Sequence, residues 1–169
     1  MPNVFHPEPE TVMEREGAGF RGTGAGVFAA AGATELGGNV IVIEPGNVPV
    51  PYHYHLGIEE AVVVLDGEPH LRTPAGWRRL ARGEAVIFPP GEAGAHQFAN
   101  KTGAEVRILL ISNKNVADIV VYPDSQKWMA SGRDANAERG MAKKIFPVTS
   151  EVEYFEGEQP PDLGAIPDA

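Results

Sequence analysis

No cysteine occurs in this chain, so neither a disulfide nor a thiolate metal site is open to it. Basic residues are scarce. Fourteen Lys and Arg stand against 23 Asp and Glu, a formal net charge of −9. Nucleic acid and anionic membrane call for clustered Lys and Arg, so neither is expected as a partner. The one local basic group, Arg72, Arg78, Arg79 and Arg82, reads as the solvated face of a hairpin. No apolar run reaches the roughly 18 residues of a membrane span, and Met1-Pro2-Asn3-Val4-Phe5 lacks the basic flank of a signal peptide. A cytoplasmic protein is expected.

What is present points to short strands and tight turns. Glycine (20) and proline (15) are plentiful, yet 43% of the residues are hydrophobic, more than Gly/Pro-rich disorder carries. A chain of 169 residues fits one domain with a sizeable core. Residues 1–16 are polar, with Pro7 and Pro9 breaking any helix, and read as an arm. Phe20-Arg21 and Val27 to Ala30 read as edge strands in a glycine-rich stretch. The run Gly22-Thr23-Gly24-Ala25-Gly26 lacks the Lys-Ser/Thr of a phosphate loop. Val40 to Ile43, about 50–55, Glu60 to Leu65, Trp77 to Leu80, Ala85 to Phe88, Gln97 to Asn100, Val106 to Ser112 and Ile119 to Tyr122 follow as strands, punctuated by Gly, Pro and Asn. Together they predict an all-β sandwich or barrel.

Asp66-Gly67 reads as a two-residue hairpin turn, pairing Val63 with His70, Val62 with Leu71 and Glu60 with Thr73. On that register Glu60, Val62, Val64, Leu71 and Thr73 share one face. His70 lies on the other and is not expected to be a ligand. Residues 124–143 are polar, with at most a short helix near Asp134 to Arg139. Lys144 to Val148 and Val152 to Phe155 carry apolar residues able to dock on the barrel, and the end reads as a tail. The domain is thus expected to span 1–169, with a core over about 17–122, an extension over 123–155 and a tail over 156–169. Val40 to Ile43, Ala61 to Leu65 and Val106 to Ile111 are apolar on both faces, so something must cover their outer side. A homodimer is the favoured cover.

The stretch Tyr52-His53-Tyr54-His55-Leu56-Gly57-Ile58-Glu59-Glu60 carries the chemistry. In a strand, alternation puts His53 and His55 on one face. Two imidazoles and a carboxylate on one face suit a divalent transition metal, and His96 offers a third imidazole. Glu59 competes with Glu60 for the carboxylate role, and alternation favours Glu60. Tyr52 and Tyr54 read as outward packing residues and Asn100 as a turn residue.

These residues resemble the two motifs of the cupin superfamily. The first appears as His53, His55, then four residues, Glu60, six residues and Gly67. The second appears as Gly83, five residues, Pro89, Gly91, four residues, His96, three residues and Asn100. Fifteen residues separate the motifs, as in compact bacterial cupins, and the resemblance covers about residues 36–112. Four residues rather than two stand between Gly91 and His96, and Gly46 lies one residue further from His53 than usual. Both departures fall in loops, where insertions cost little.

The resemblance implies a double-stranded β-helix of jelly-roll type, with His53, His55, Glu60 and His96 binding one divalent ion of Mn, Fe, Co, Ni, Cu or Zn inside the barrel. Val62, Val64, Phe88 and Phe98 are expected to form a dry apolar cup for a small organic ligand or substrate. The implied function is a metal-dependent enzyme of dioxygenase, decarboxylase or isomerase type. The alternative is a non-catalytic module that binds a small ligand; fold alone does not choose between them.

Overall fold

Strands whose outward positions are as apolar as their inward ones need cover on both sides, and the chain supplies much of it itself. The computed structural model describes residues 1–6, 12–17, 19–114, 117–133 and 141–160, with 12–17 and 141 in backbone only. The strands are β1 (Val12–Gly17), β2 (Phe20–Ala25), β3 (Leu36–Ile43), β4 (Tyr54–His55), β5 (Glu60–Asp66), β6 (His70–Thr73), β7 (Gly76–Arg79), β8 (Ala85–Phe88), β9 (Gln97–Ala99), β10 (Val106–Asn113), β11 (Ala117–Tyr122), β12 (Lys127–Arg133) and β13 (Met141–Pro147). A single helical turn, α1 (Val27–Ala30), joins β2 to β3. Three antiparallel sheets result, ordered β1-β2-β3-β10-β5-β8, β7-β6-β9 and β13-β12-β11-β4. Among the described residues no helix is long and apolar enough to cross a membrane.

The core lies between the first two sheets. Ile43, Val62, Val64, Val106 and Ile108 come from the large sheet and pack against Leu71 and Phe98 from the small one. Register sets the layers: Ile41, Ile108 and Val64 stand side by side across β3, β10 and β5, then Asn39, Leu110 and Val62, then Gly37, Ser112 and Glu60. Inward positions thus run from aliphatic at the floor to polar at the rim. The outer face of β3 and β10 is covered by a second cluster, in which Val27, Val40 and Leu109 pack with Val4, Phe28, Leu65 and Ile111. A Cβ on Gly38 would come within 2.1 Å of the Phe28 ring, so only glycine lets that ring lie on the strand.

Four expectations are corrected. The Asp66-Gly67 turn is not a hairpin: β5 is flanked by β10 and β8, and β6 by β7 and β9, so the turn carries the chain from one sheet to the other. Gly67 has φ +75°, and a Cβ there would meet Glu105 O at 2.9 Å, so the corner is closed as well as left-handed. The inward face survives, because Val62, Val64 and Leu71 are fully buried. Val27 to Ala30 is a helical turn, not a strand; its alanines favour helix, and it carries Val27 and Phe28 onto β3. The extension is more ordered than its polarity suggests, since Lys127–Arg133 pairs with both β11 and β13. Residues 1–16 are not wholly an arm, because Val12–Gly17 pairs with β2. The expected helix at 134–139 lies outside the described residues, as does the chain beyond residue 160. Residues 152–155 form no strand and leave Val152, Tyr154 and Phe155 exposed.

Candidate metal centre

The two histidine motifs meet backbone to backbone. His53 and His96 form an antiparallel bridge, His96 N–H donating to His53 O at 2.9 Å and His53 N–H to His96 O at 3.2 Å. The histidine strand is shorter than expected, because only Tyr54–His55 pairs with β11. His55 nevertheless lies on the same side as His53, their ring centroids 5.3 Å apart. Glu60 enters from the start of β5, facing Phe88 on one neighbouring strand and Ser112 on the other.

All three imidazoles are held by Nδ1. His53 Nδ1 bonds Pro51 O at 2.8 Å, His96 Nδ1 bonds Gly94 O at 2.9 Å, and His55 Nδ1 bonds Asp118 Oδ2 at 2.5 Å. A carbonyl or ionised carboxylate only accepts, so each Nδ1 carries the hydrogen and each neutral Nε2 presents a lone pair. Two of these converge on one carboxylate oxygen: Glu60 Oε2 is 3.3 Å from His55 Nε2 and 3.4 Å from His96 Nε2. His53, Glu60 and His96 each offer a ligand atom, all within 4.8 Å of one another, and this cluster can hold a metal ion. Atoms about 2.0–2.2 Å from a shared ion stand roughly 3.0–3.5 Å apart, so the observed spacings fit. With all three rings neutral these acceptors would face each other and repel, unless a metal ion or a proton on one ring lies among them.

The protonation states follow from this crowding. Burial pushes His53 down to about 4, helped by the neighbouring His96. Burial also lowers His96. Burial alone would lower His55 too, but its bonds to Asp118 and Glu60 outweigh that and raise it to about 9. Burial would raise Glu60 and Asp118, yet His55 holds both below their ordinary range. In the metal-free protein a proton on His55 does the work of the cation.

Asp118 was not foreseen from sequence. It is buried, and besides His55 it accepts the Gly57 N–H at 3.0 Å through Oδ1. The clue is its place on β11, where positions 118, 120 and 122 share a side and an acidic residue stands in line with Val120. Starting that strand at Ile119 hid it. Glu60, not Glu59, faces the cluster. Asn100 is buried in its turn, its Nδ2 donating to Ile43 O and Ala104 O, both at 2.7 Å. Tyr52 is buried under Arg72, whose guanidinium lies 4.0 Å from the ring centroid. His70 stays apart on β6, beside a separate hollow with Trp77 and Lys101, its Nδ1 buried and without a hydrogen-bond partner.

The cluster opens into a cavity of about 260 Å³. Phe88 stacks on His96 with centroids 3.9 Å apart, and Phe98 meets the same ring edge-on. The expected cup is corrected: of Val62, Val64, Phe88 and Phe98 only Phe98 lines the cavity, the other three being packed in the core, and the apolar wall is instead Ile41, Ile108, Leu110, Val120 and Met129. The wall includes Val120, Tyr122 and Met129 from β11 and β12.

Residues 39–112 match the cupin domain. Among solved structures the chain is similar to a provisionally assigned sugar phosphate isomerase from Acidithiobacillus ferrooxidans, at 26% identity and TM-score 0.71 over 83% of this chain and 86% of that one. It is also similar to a sugar phosphate isomerase of the cupin superfamily from Silicibacter pomeroyi (24%, TM-score 0.67, 81% and 90%). A third likeness, in fold, is to a polyketide cyclase from Streptomyces resistomycificus (22%, TM-score 0.51, 64% and 78%). No curated protein matches significantly in sequence.

Proposed function

This chain is a cupin-domain protein, and from that premise we propose that its barrel is the active site of a metal-dependent enzyme of the isomerase type, acting on a small hydroxy-carbonyl compound. The observation that carries the reading is the convergence of Nε2 lone pairs on Glu60, with each Nδ1 tied back by a carbonyl or by Asp118. His53, His55, Glu60 and His96 are the four ligands we assign. A divalent ion bound there supplies Lewis-acid polarisation of adjacent substrate oxygens.

The chain's own residues do the rest. Pro51 O, Gly94 O and Asp118 fix the ring tautomers and orientations, which keeps the donor atoms aimed at one point. Phe88 and Phe98 shield His96 from water. The groups able to move a proton inside the cavity are the Glu60 carboxylate and the Tyr122 phenol, whose ring stacks 6.1 Å from that of His53. The isomerase type, rather than the dioxygenase or decarboxylase type, is supported by the likeness to the Acidithiobacillus protein over most of both chains. One observation favours a non-catalytic binding module instead: outside the four ligands, no described lining residue is Lys, His, Asp or Glu.

Elemental analysis after reconstitution with Mn, Fe, Co, Ni, Cu and Zn, followed by proton NMR of pentoses in D2O, tests the reading. One ion per chain, deuterium uptake beside the carbonyl and ketose formation are expected. Absence of any retained ion refutes the metal centre. A retained ion with ligand-induced thermal stabilisation but no turnover moves the assignment to the binding module.

A further inference from the structure

The cavity lining divides by chemistry. Away from the cluster, Thr23, Asn39, Ser112 and Tyr122 present hydroxyls and an amide, set among aliphatic side chains such as Leu110 and the thioether of Met129. Ser112 faces Glu60 directly across the β10–β5 pair. A Cβ on Gly37 would lie 2.5 Å from Ser112 Oγ, so the glycine leaves that hydroxyl its space. These are neutral groups that recognise hydroxyl and carbonyl oxygens by hydrogen bonding.

No Lys or Arg is among the described lining residues. Four arginines of the barrel surface are engaged with carboxylates: Arg72 with Asp124, Arg78 with Glu84, Arg79 with Glu68 and Arg107 with Glu105. Lys127 Nζ lies 5.6 Å from the centroid of the Tyr122 ring but is not part of the lining. Three neutral imidazoles and one carboxylate leave a divalent ion with a formal charge of about +1. That offsets one negative charge on a chelating ligand. A dianionic group carried on the same ligand would be desolvated in the cavity without a partner, which is costly. The −9 charge of the chain opposes polyanions further. The cavity of about 260 Å³ has room for a small organic ligand.

We infer that the cavity selects an unphosphorylated hydroxy-carbonyl compound, chelating through adjacent oxygens, over its phosphate ester. The inference rests on the metal-centre reading above and narrows its substrate class. It also separates this chain from what the names of its two sugar phosphate isomerase neighbours would suggest.

The test is isothermal titration of the Co²⁺-loaded protein, at physiological salt, with ribose against ribose 5-phosphate and glyceraldehyde against glyceraldehyde 3-phosphate. At least tenfold tighter binding of the unphosphorylated member is expected in one pair or both. Ser112→Ala, at saturating Co²⁺, should weaken that binding about threefold to tenfold, the loss of one hydrogen bond. Equal or tighter binding of the esters overturns the inference, as does binding of neither member by protein that retains its Co²⁺. Failure to take up Co²⁺ refutes the metal centre instead. Arg15 and Arg139 are the two basic residues whose side chains fall outside those described. An ester preference that vanishes in Arg139→Ala or Arg15→Ala also overturns the inference and identifies the cation.

Discussion

Replacing Asp118 by Asn tests whether the ligand set depends on the carboxylate behind it. In the native site Oδ2 takes the His55 Nδ1–H at 2.5 Å and Oδ1 takes the Gly57 N–H at 3.0 Å. An amide has one accepting oxygen and so satisfies only one of these donors. If it serves Gly57, its NH₂ faces His55 Nδ1, and the ring is driven to the tautomer that carries hydrogen on Nε2. That hydrogen stands where the metal lone pair should be. If it serves His55, the buried Gly57 N–H loses its partner and the loop leading to Glu60 loosens. Either way the site becomes a worse chelator. Loss of a partner behind a ligating histidine costs roughly 10–100-fold in metal affinity, about 1.4–2.8 kcal/mol. Competition with a chromophoric chelator for Co²⁺ at pH 7.5 measures this, with circular dichroism confirming the fold. A metal affinity within threefold of the native value in a folded Asp118→Asn protein would refute the reasoning and reduce Asp118 to a loop anchor.

The ligand assignment makes a coarser prediction: His53→Ala and His96→Ala each abolish Co²⁺ binding at micromolar metal, while His70→Ala leaves it within twofold, and equal loss in all three would break the face assignment. In EDTA, stability against pH should peak near 6.5. His55, raised to about 9, contributes stability that is whole below its ordinary 6.5 and is lost as pH climbs through 9. His53, depressed to about 4, opposes folding increasingly as pH falls from 6.5 toward 4. Melting temperatures that rise from pH 6.5 to 9 without metal would contradict this, and added metal should flatten the alkaline limb. Asn100→Ala should cost about 2–4 kcal/mol in urea denaturation, because Ile43 O and Ala104 O both lose a donor; a cost under about 1 kcal/mol would count against the clamp. Gly38→Ala should cost about 1–3 kcal/mol by driving a methyl into the Phe28 ring, and Phe28→Ala in the same chain should cost less on that background than alone.

Much of the centre was legible because strand alternation is a local rule. His53 and His55 lie on one side of their extended stretch, and Glu60, Val62 and Val64 on one side of β5, for reasons contained within a few residues each, although β4 and β5 belong to different sheets and meet only in the folded barrel. What failed was pairing, which is not local. Asp66-Gly67 marks a turn, but a turn signal does not say whether the strands it joins lie in one sheet or in two. Here β5 already has a partner on each edge, and neither partner is visible from the turn. Lys127–Arg133 was hidden for a related reason. Lys-Trp-Met-Ala-Ser-Gly-Arg has weak strand propensity and no alternation, and it becomes a strand through the edges of β11 and β13. Asp118 combines both difficulties: the strand starts two residues before Ile119, and its partner at His55 lies more than sixty residues earlier. The cover of β3 by Val4 and Phe28 is likewise not a local signal, since it depends on Gly38 serving as the surface on which the Phe28 ring lies.

The wall formed by β11 and β12 lies wholly beyond residue 112, where the match to the cupin domain ends. One wall of the ligand chamber is therefore written in a different part of the chain from the ion-binding residues, while Thr23, Asn39 and Ser112 line it from the large sheet. Lengthening or exchanging the later strands would refit the chamber to another molecule while His53, Glu60 and His96 stayed untouched. Asp118 ties the two together, because it sits on β11 and holds the His55 ring. A change at Val120, Tyr122 or Met129 would reshape the chamber, whereas a change at Asp118 would reach the ion-binding residues themselves.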